Sequence, residues 1–140
     1  MSSPNPLLAY FRTLDDKRRE VGLEKLTPPE KVILLVRDFY AHIAVHGIVG
    51  YYMNPDGNEA VELVAALDEV GASEAAAIVR ECNEPFPKGS PPHSQTERGK
   101  VAVALDKKGS FPDIAKSPND PLWDKLFKGL KEYAAKHFPR

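Results

Sequence analysis

The stretch Leu26-Thr27-Pro28-Pro29-Glu30-Lys31-Val32-Ile33-Leu34-Leu35-Val36-Arg37-Asp38-Phe39-Tyr40-Ala41-His42-Ile43-Ala44-Val45-His46-Gly47 decides the fold class. It opens on a helix start signal. Thr27 stands as N-cap, Pro28 occupies the first helical position, and Glu30 follows three residues after the threonine as a capping-box partner. The threonine oxygen can accept an orphan backbone N–H while the glutamate reaches back to the cap. Apolar residues then fall at 32, 35, 36, 39, 40 and 43, the stripe of one helix face. Gly47 is expected to break the helix.

Downstream, Ile48 to Met53 reads as a short helix ending at the turn Asn54-Pro55-Asp56-Gly57. Asn58 is expected to cap a helix to about Val70, with Ala60, Val61, Val64, Ala65 and Leu67 on its buried side and Gly71 as its stop. Ser73 is expected to cap a further helix over about 74–82, packed closely through Ala75, Ala76, Ile78 and Val79. Residues 83–93 form a Pro/Gly/Ser loop, Gln95 to Leu105 a helix, and 106–121 a second loop. Asp120-Pro121 starts a last helix to about His137, whose inward stripe is Trp123, Leu126, Phe127, Leu130 and Tyr133/Ala134. Upstream, Leu7, Leu8, Phe11 and Leu14 place a helix over about Pro6 to Glu20, ended by Gly22.

No pair of alternating runs joined by a hairpin turn occurs, so a sheet is not expected. The reading is all-α: a single-domain bundle of about six helices with Pro-rich loops. Residues 1–25 supply an N-terminal helix and linker. The expected core is Leu35, Val36, Phe39, Ile43, Tyr51, Val64, Leu67, Ile78, Val79, Leu105, Trp123, Phe127 and Leu130.

At 140 residues the chain is long enough to bury a sizeable core. No run of about 18 apolar residues is read in the chain, so no membrane span is expected, and no secretory signal is expected, since Met1 to Tyr10 lacks a basic region followed by an apolar one. The lone Cys82 rules out an intrachain disulfide and points, with the absent signal, to the cytoplasm. Net charge is -1, against generic nucleic-acid binding. The distribution is uneven. Residues 55–84 carry eight acids, Asp56, Glu59, Glu62, Asp68, Glu69, Glu74, Glu81 and Glu84, against the single base Arg80. Residues 98–140 carry ten bases and five acids. The acidic segment reads either as solvated helix faces or as a docking surface for a basic partner.

Catalytic motifs are missing. Ser90, Ser94 and Ser110 lie in loops without the strand–turn–helix that exposes a nucleophilic serine. Cys82, flanked by Glu81 and Glu84, reads as a structural thiol. No Gly-rich phosphate loop occurs. Asp38, His42 and His46 fall at i, i+4 and i+8 of one helix and form the candidate metal set, but His42 lacks the following Glu of helical zinc proteases. The Tyr51-Tyr52 pair reads as core or as a contact surface.

The segment from His42 to Leu105 resembles a bacterial domain family of unknown function typified by a DNA-mimic protein. The resemblance rests on His42-Ile43, Gly47-Ile48, Tyr51-Tyr52 and Asn54. It continues through Ala65-Ala66-Leu67-Asp68-Glu69-Val70-Gly71-Ala72, Phe86-Pro87 and Glu97-Arg98. Leu26-Thr27-Pro28 and the Trp123 to Phe127 helix look similar too, so it covers roughly residues 26–130. The chain departs from the family pattern where that pattern carries Asn-Asn-Gly, at Ala44, Val45 and His46, and at His42 and Gly50, where the family has Glu and Gln. The resemblance implies an all-helical fold and a DNA-mimic-like role, in which acids spaced like phosphates face a DNA-binding protein.

The leading expectation is a non-catalytic protein-binding domain. It needs no cofactor and docks a basic partner through Asp56, Glu59, Glu62, Asp68, Glu69 and Glu74, with Tyr51 and Tyr52 at the contact. Neither direct nucleic-acid binding nor membrane association is expected. The alternatives are a metal-dependent enzyme or metal-binding protein using Asp38, His42 and His46, and a structural subunit of an oligomer, which requires a large exposed apolar patch.

Overall fold

The computed structural model describes residues 6–117 and 119–137. They form six α-helices, α1 (Pro6–Val21), α2 (Pro28–Met53), α3 (Ala60–Glu69), α4 (Ser73–Asn83), α5 (Gln95–Lys107) and α6 (Pro121–His137), with short 3₁₀ turns between them. Among the described residues there is no strand.

The start of α2 is capped as its sequence dictates. Glu30 N donates to Thr27 Oγ1 at 3.4 Å, and Thr27 N donates to Glu30 Oε1 at 2.8 Å. At Gly47 the helix kinks. This residue has φ 73° and ψ -174°, a conformation that L side chains rarely adopt and glycine takes without penalty. The short helix beyond the break is the expected Ile48 to Met53 segment.

Helix α2 is the axis of the fold and packs against α1, α3, α5 and α6. By length and composition alone it is apolar enough to cross a membrane, although Arg37 and Asp38 interrupt its apolar run. Nine of its residues are buried within the fold, Ile33, Leu34, Val36, Phe39, Ile43, Gly47, Ile48, Tyr51 and Tyr52. Its apolarity is therefore matched by neighbours on several sides, as expected for a central core helix.

Helices α3 and α4 pair closely across a tight turn. Gly71, at φ 81°, donates to Asp68 O at 3.0 Å, and Ala72 N donates to Leu67 O at 2.9 Å. These two bonds make a Schellman stop and satisfy carbonyls left open at the helix end. Neither expected side-chain cap forms at the starts: α3 begins after Glu59 and α4 after Ala72, both without a side-chain cap bond. The Asn58 side chain is taken instead by His93, whose Nδ1 lies 2.7 Å from Asn58 Oδ1. The buried face of α3 is Ala60, Leu63, Ala66 and Leu67, while Val61 and Ala65 are exposed. The start at Ala60 puts Leu63 on the buried face and turns Val61 outward.

Of the expected core, Val36, Phe39, Ile43, Tyr51, Leu67, Val79, Leu105, Trp123 and Leu130 are buried. Leu35, Val64, Ile78 and Phe127 are partly buried at its edge. Phe39 sits edge-on to both Tyr51 and Trp123, with ring centroids 5.1 and 5.9 Å away, a favourable geometry for aromatic quadrupoles.

Candidate functional site

The acids of 55–84 lie along α3, α4 and the turn before them. Glu62, Asp68, Glu69, Glu74, Glu81 and Glu84 are exposed, and Asp56 and Glu59 are half-buried. Asp56 Oδ2 meets His42 Nε2 at 3.0 Å. Among the described residues none of the other seven joins an ion pair. The contrast with the N-terminal acids is sharp. Asp15 and Asp38 are bridged by Arg18 and Arg37 at 2.6 to 3.1 Å, and Glu30 is held by Lys17 at 2.8 Å.

The carboxylates do not converge on one spot. Glu62 and Glu69, seven residues apart, share a stripe of α3, as Glu74 and Glu81 do on α4. Glu59 lies close enough to Glu62 for its carboxyl pKa to be raised, first by burial and then by that like charge. Glu69 acts on Tyr133 of α6. Glu74 lines a cleft with Lys125 at the α3–α4 turn.

Tyr51 and Tyr52 correct the expectation that they touch a partner. Their side chains are core, 1% and 0% exposed. Tyr52 donates its hydroxyl to Asn83 Oδ1 at 2.6 Å, and Asn83 Nδ2 donates to Ala60 O at 3.0 Å. The pair thus knits α2 to α3 and α4, and burial raises both phenol pKa values.

The candidate metal set is likewise dispersed. Asp38 is occupied by Arg18 and Arg37, His42 pairs with Asp56, and His46 is exposed. Among the described residues no group of three His, Cys, Asp or Glu is placed to hold a metal ion. Two turns of helix separate the ends of the Asp38/His42/His46 row, too far for one small cation. Cys82 is buried, and that burial, followed by Glu81, pushes its thiol up to about 12, far from a reactive thiolate.

Arg98, read from the sequence only as part of a family-like Glu97-Arg98 pair, is the residue that the structure adds to the site. It is fully buried, and its guanidinium is spread over backbone carbonyls. Nε donates to Tyr52 O at 2.8 Å and Nη2 to Asn54 O at 2.7 Å; Nη1 donates to Pro92 O and His93 O, both at 3.1 Å. Tyr52 and Asn54 close the C-terminal end of α2, where carbonyls lack intrahelical donors and the helix dipole favours a cation. Burial lowers the Arg98 pKa but leaves an arginine charged. Gly57 makes room for it: a Cβ there would lie 2.7 Å from Tyr51 O and 2.9 Å from Arg98 Nε. Its spacing was a signal, for Arg98, Ala102 and Leu105 fall at i, i+4 and i+7 and are the buried residues of α5.

Arg98 thereby fixes the Pro85–His93 loop beside the start of α3. Between this loop, α3 and α5 lies a cleft of about 430 Å³, lined among others by Val61, Glu62, Lys88, Pro92, Glu97 and Val101. The His93–Asn58 contact ties the loop to the turn before α3.

A family model described as DMP19-like protein matches residues 24–137. No curated protein and no solved structure matches the chain. With the match spanning α2 to α6, the chain belongs to the DMP19-like family.

Proposed function

We propose that this member of the DMP19-like family is a non-catalytic protein-binding domain that docks a basic partner, such as a DNA-binding protein, on carboxylates of α3 and α4. Family membership supports a DNA-mimic-like, protein-binding role. The observation that carries the reading is the unneutralised charge. Glu59, Glu62, Asp68, Glu69 and Glu74 have no ion-pair partner among the described residues, although the fold pairs most of its N-terminal acids. Free surface carboxylates in a nearly neutral chain create a local field that steers a cationic surface and speeds its encounter.

The test is capture from the native host at low salt on immobilised protein, comparing the wild type with the triple variant Glu59→Lys, Glu62→Lys, Glu69→Lys. A partner held by the wild type and lost by the folded variant supports the proposal. Equal retention by both, or no partner, contradicts it.

A further inference from the structure

We infer that the cleft between α3, the Pro85–His93 loop and α5 seats an extended segment of a partner protein carrying an arginine or lysine beside a small aliphatic side chain. This rests on the docking function above and narrows it to one place. The volume of about 430 Å³ falls within the range of ligand pockets and suits a few side chains rather than a folded domain.

The cleft offers two chemistries together. Val61, 53% exposed, Pro92 and Val101 give apolar surface. Glu62 and Glu97 give two carboxylates without an ion-pair partner among the described residues, against the single lysine Lys88. Glu59 lines the neighbouring cleft with Arg18 and Asp38 but lies within electrostatic reach of Glu62, its carboxyl pKa raised first by burial and then by that like charge. An entering guanidinium or ammonium supplies the missing counter-charge while its neighbour covers Val61. Among the described residues no Phe, Tyr or Trp lines the cleft, and its one imidazole ring, that of His93, is held against Asn58; this disfavours a polyproline helix or a nucleobase, both of which dock on aromatic platforms. The loop is held by Arg98 and by the His93–Asn58 contact, so the slot exists before binding and little ordering is needed.

The test is fluorescence anisotropy at low salt with a dye-labelled peptide of alternating arginine and valine, and a control peptide with glutamate for arginine. The Glu62→Lys/Glu97→Gln variant is expected to weaken binding by at least about tenfold. Val61→Ser should weaken it several-fold without changing charge. Asp68→Lys/Glu69→Lys, outside the cleft, changes more charge than the cleft pair yet should weaken peptide binding less than that pair does. All these side chains face solvent, and thermal melts confirm that each variant is folded. The inference is overturned if the arginine peptide does not bind, if Val61→Ser has no effect, or if the outer pair weakens binding as much as the cleft pair. Host-partner capture separates the two levels. Loss with the outer pair but not the cleft pair leaves the docking function standing and removes the cleft. Failure of the wild type to capture any partner removes the function, while the peptide titration still decides the chemistry of the cleft.

Discussion

The Nε of Arg98 donates to the carbonyl of Tyr52 at 2.8 Å, so a side chain from α5 closes the end of α2. Three more carbonyls share the same guanidinium. One residue thus holds the central helix, the proline loop and the wall of the cleft in register.

Arg98→Met is expected to destabilise the protein by about 3–5 kcal/mol, because several buried carbonyls lose their donor at once. Arg98→Lys should recover only part of this, since an ammonium lacks the planar fork that reaches four oxygens. Urea unfolding of the three proteins measures it; equal stability of Lys and Arg variants contradicts the clamp.

Gly57→Ala should cost about 1–3 kcal/mol through overpacking. Its new Cβ would fall 2.7 Å from Tyr51 O, which is backbone and cannot swing away. The same denaturation experiment checks it, with Gly99→Ala as a control, whose Cβ would lie 3.6 Å from the flexible Met53 side chain.

Tyr52→Phe removes the 2.6 Å bond to Asn83 and leaves a buried amide oxygen unsatisfied, at about 1–3 kcal/mol. A double-mutant cycle with Asn83→Ala should show coupling between the two positions; additive losses contradict a shared bond.

Stability should fall in acid by a route set at the α1–α2 contact. The Arg37 hydrogen bond holds the Asp15 pKa below the ordinary carboxylate value. Burial pushes Glu30 up, but Lys17 and Thr27 outweigh it and its pKa is lowered. A depressed carboxylate contributes stability that is complete above its unfolded pKa of about 4 and is lost as pH falls through the folded value. Glu59 has the opposite sign. Its raised pKa means that its ionisation costs stability as pH rises from the unfolded value through the folded one. Asp15→Asn should lower stability at neutral pH and flatten the acid limb, whereas Glu59→Gln should raise stability at neutral pH. Urea midpoints followed from about pH 2 to pH 7 show both signs.

The helices were legible where local chemistry acts alone. Thr27, Pro28 and Glu30 mark the start of α2, Gly47 its break and Gly71 the stop of α3, because caps and positive φ are short-range demands. The cap assigned to Asn58 failed because His93 takes its side chain, and Ser73 became the first residue of α4 rather than its cap. Tyr51 and Tyr52 show why exposure resists sequence reading, since adjacent aromatics suit a core and a contact surface equally well. The Asp38/His42/His46 row has the periodicity of a metal site, but Arg18 of α1 and the adjacent Arg37 hold Asp38, Asp56 holds His42, and His46 stays exposed. Arg98 was visible as a family-like Glu97-Arg98 pair and hidden as a buried cation, because only folding brings four carbonyls to it.

The most direct test of the central claim is competition between DNA and this protein for one captured partner. With the partner bound at low salt, a DNA duplex that the partner itself recognises should release it in proportion to duplex concentration, and the Glu59→Lys, Glu62→Lys, Glu69→Lys variant should hold none to release. A partner that binds duplex and protein together, or that stays on the triple variant, contradicts docking through the free carboxylates of α3 and α4.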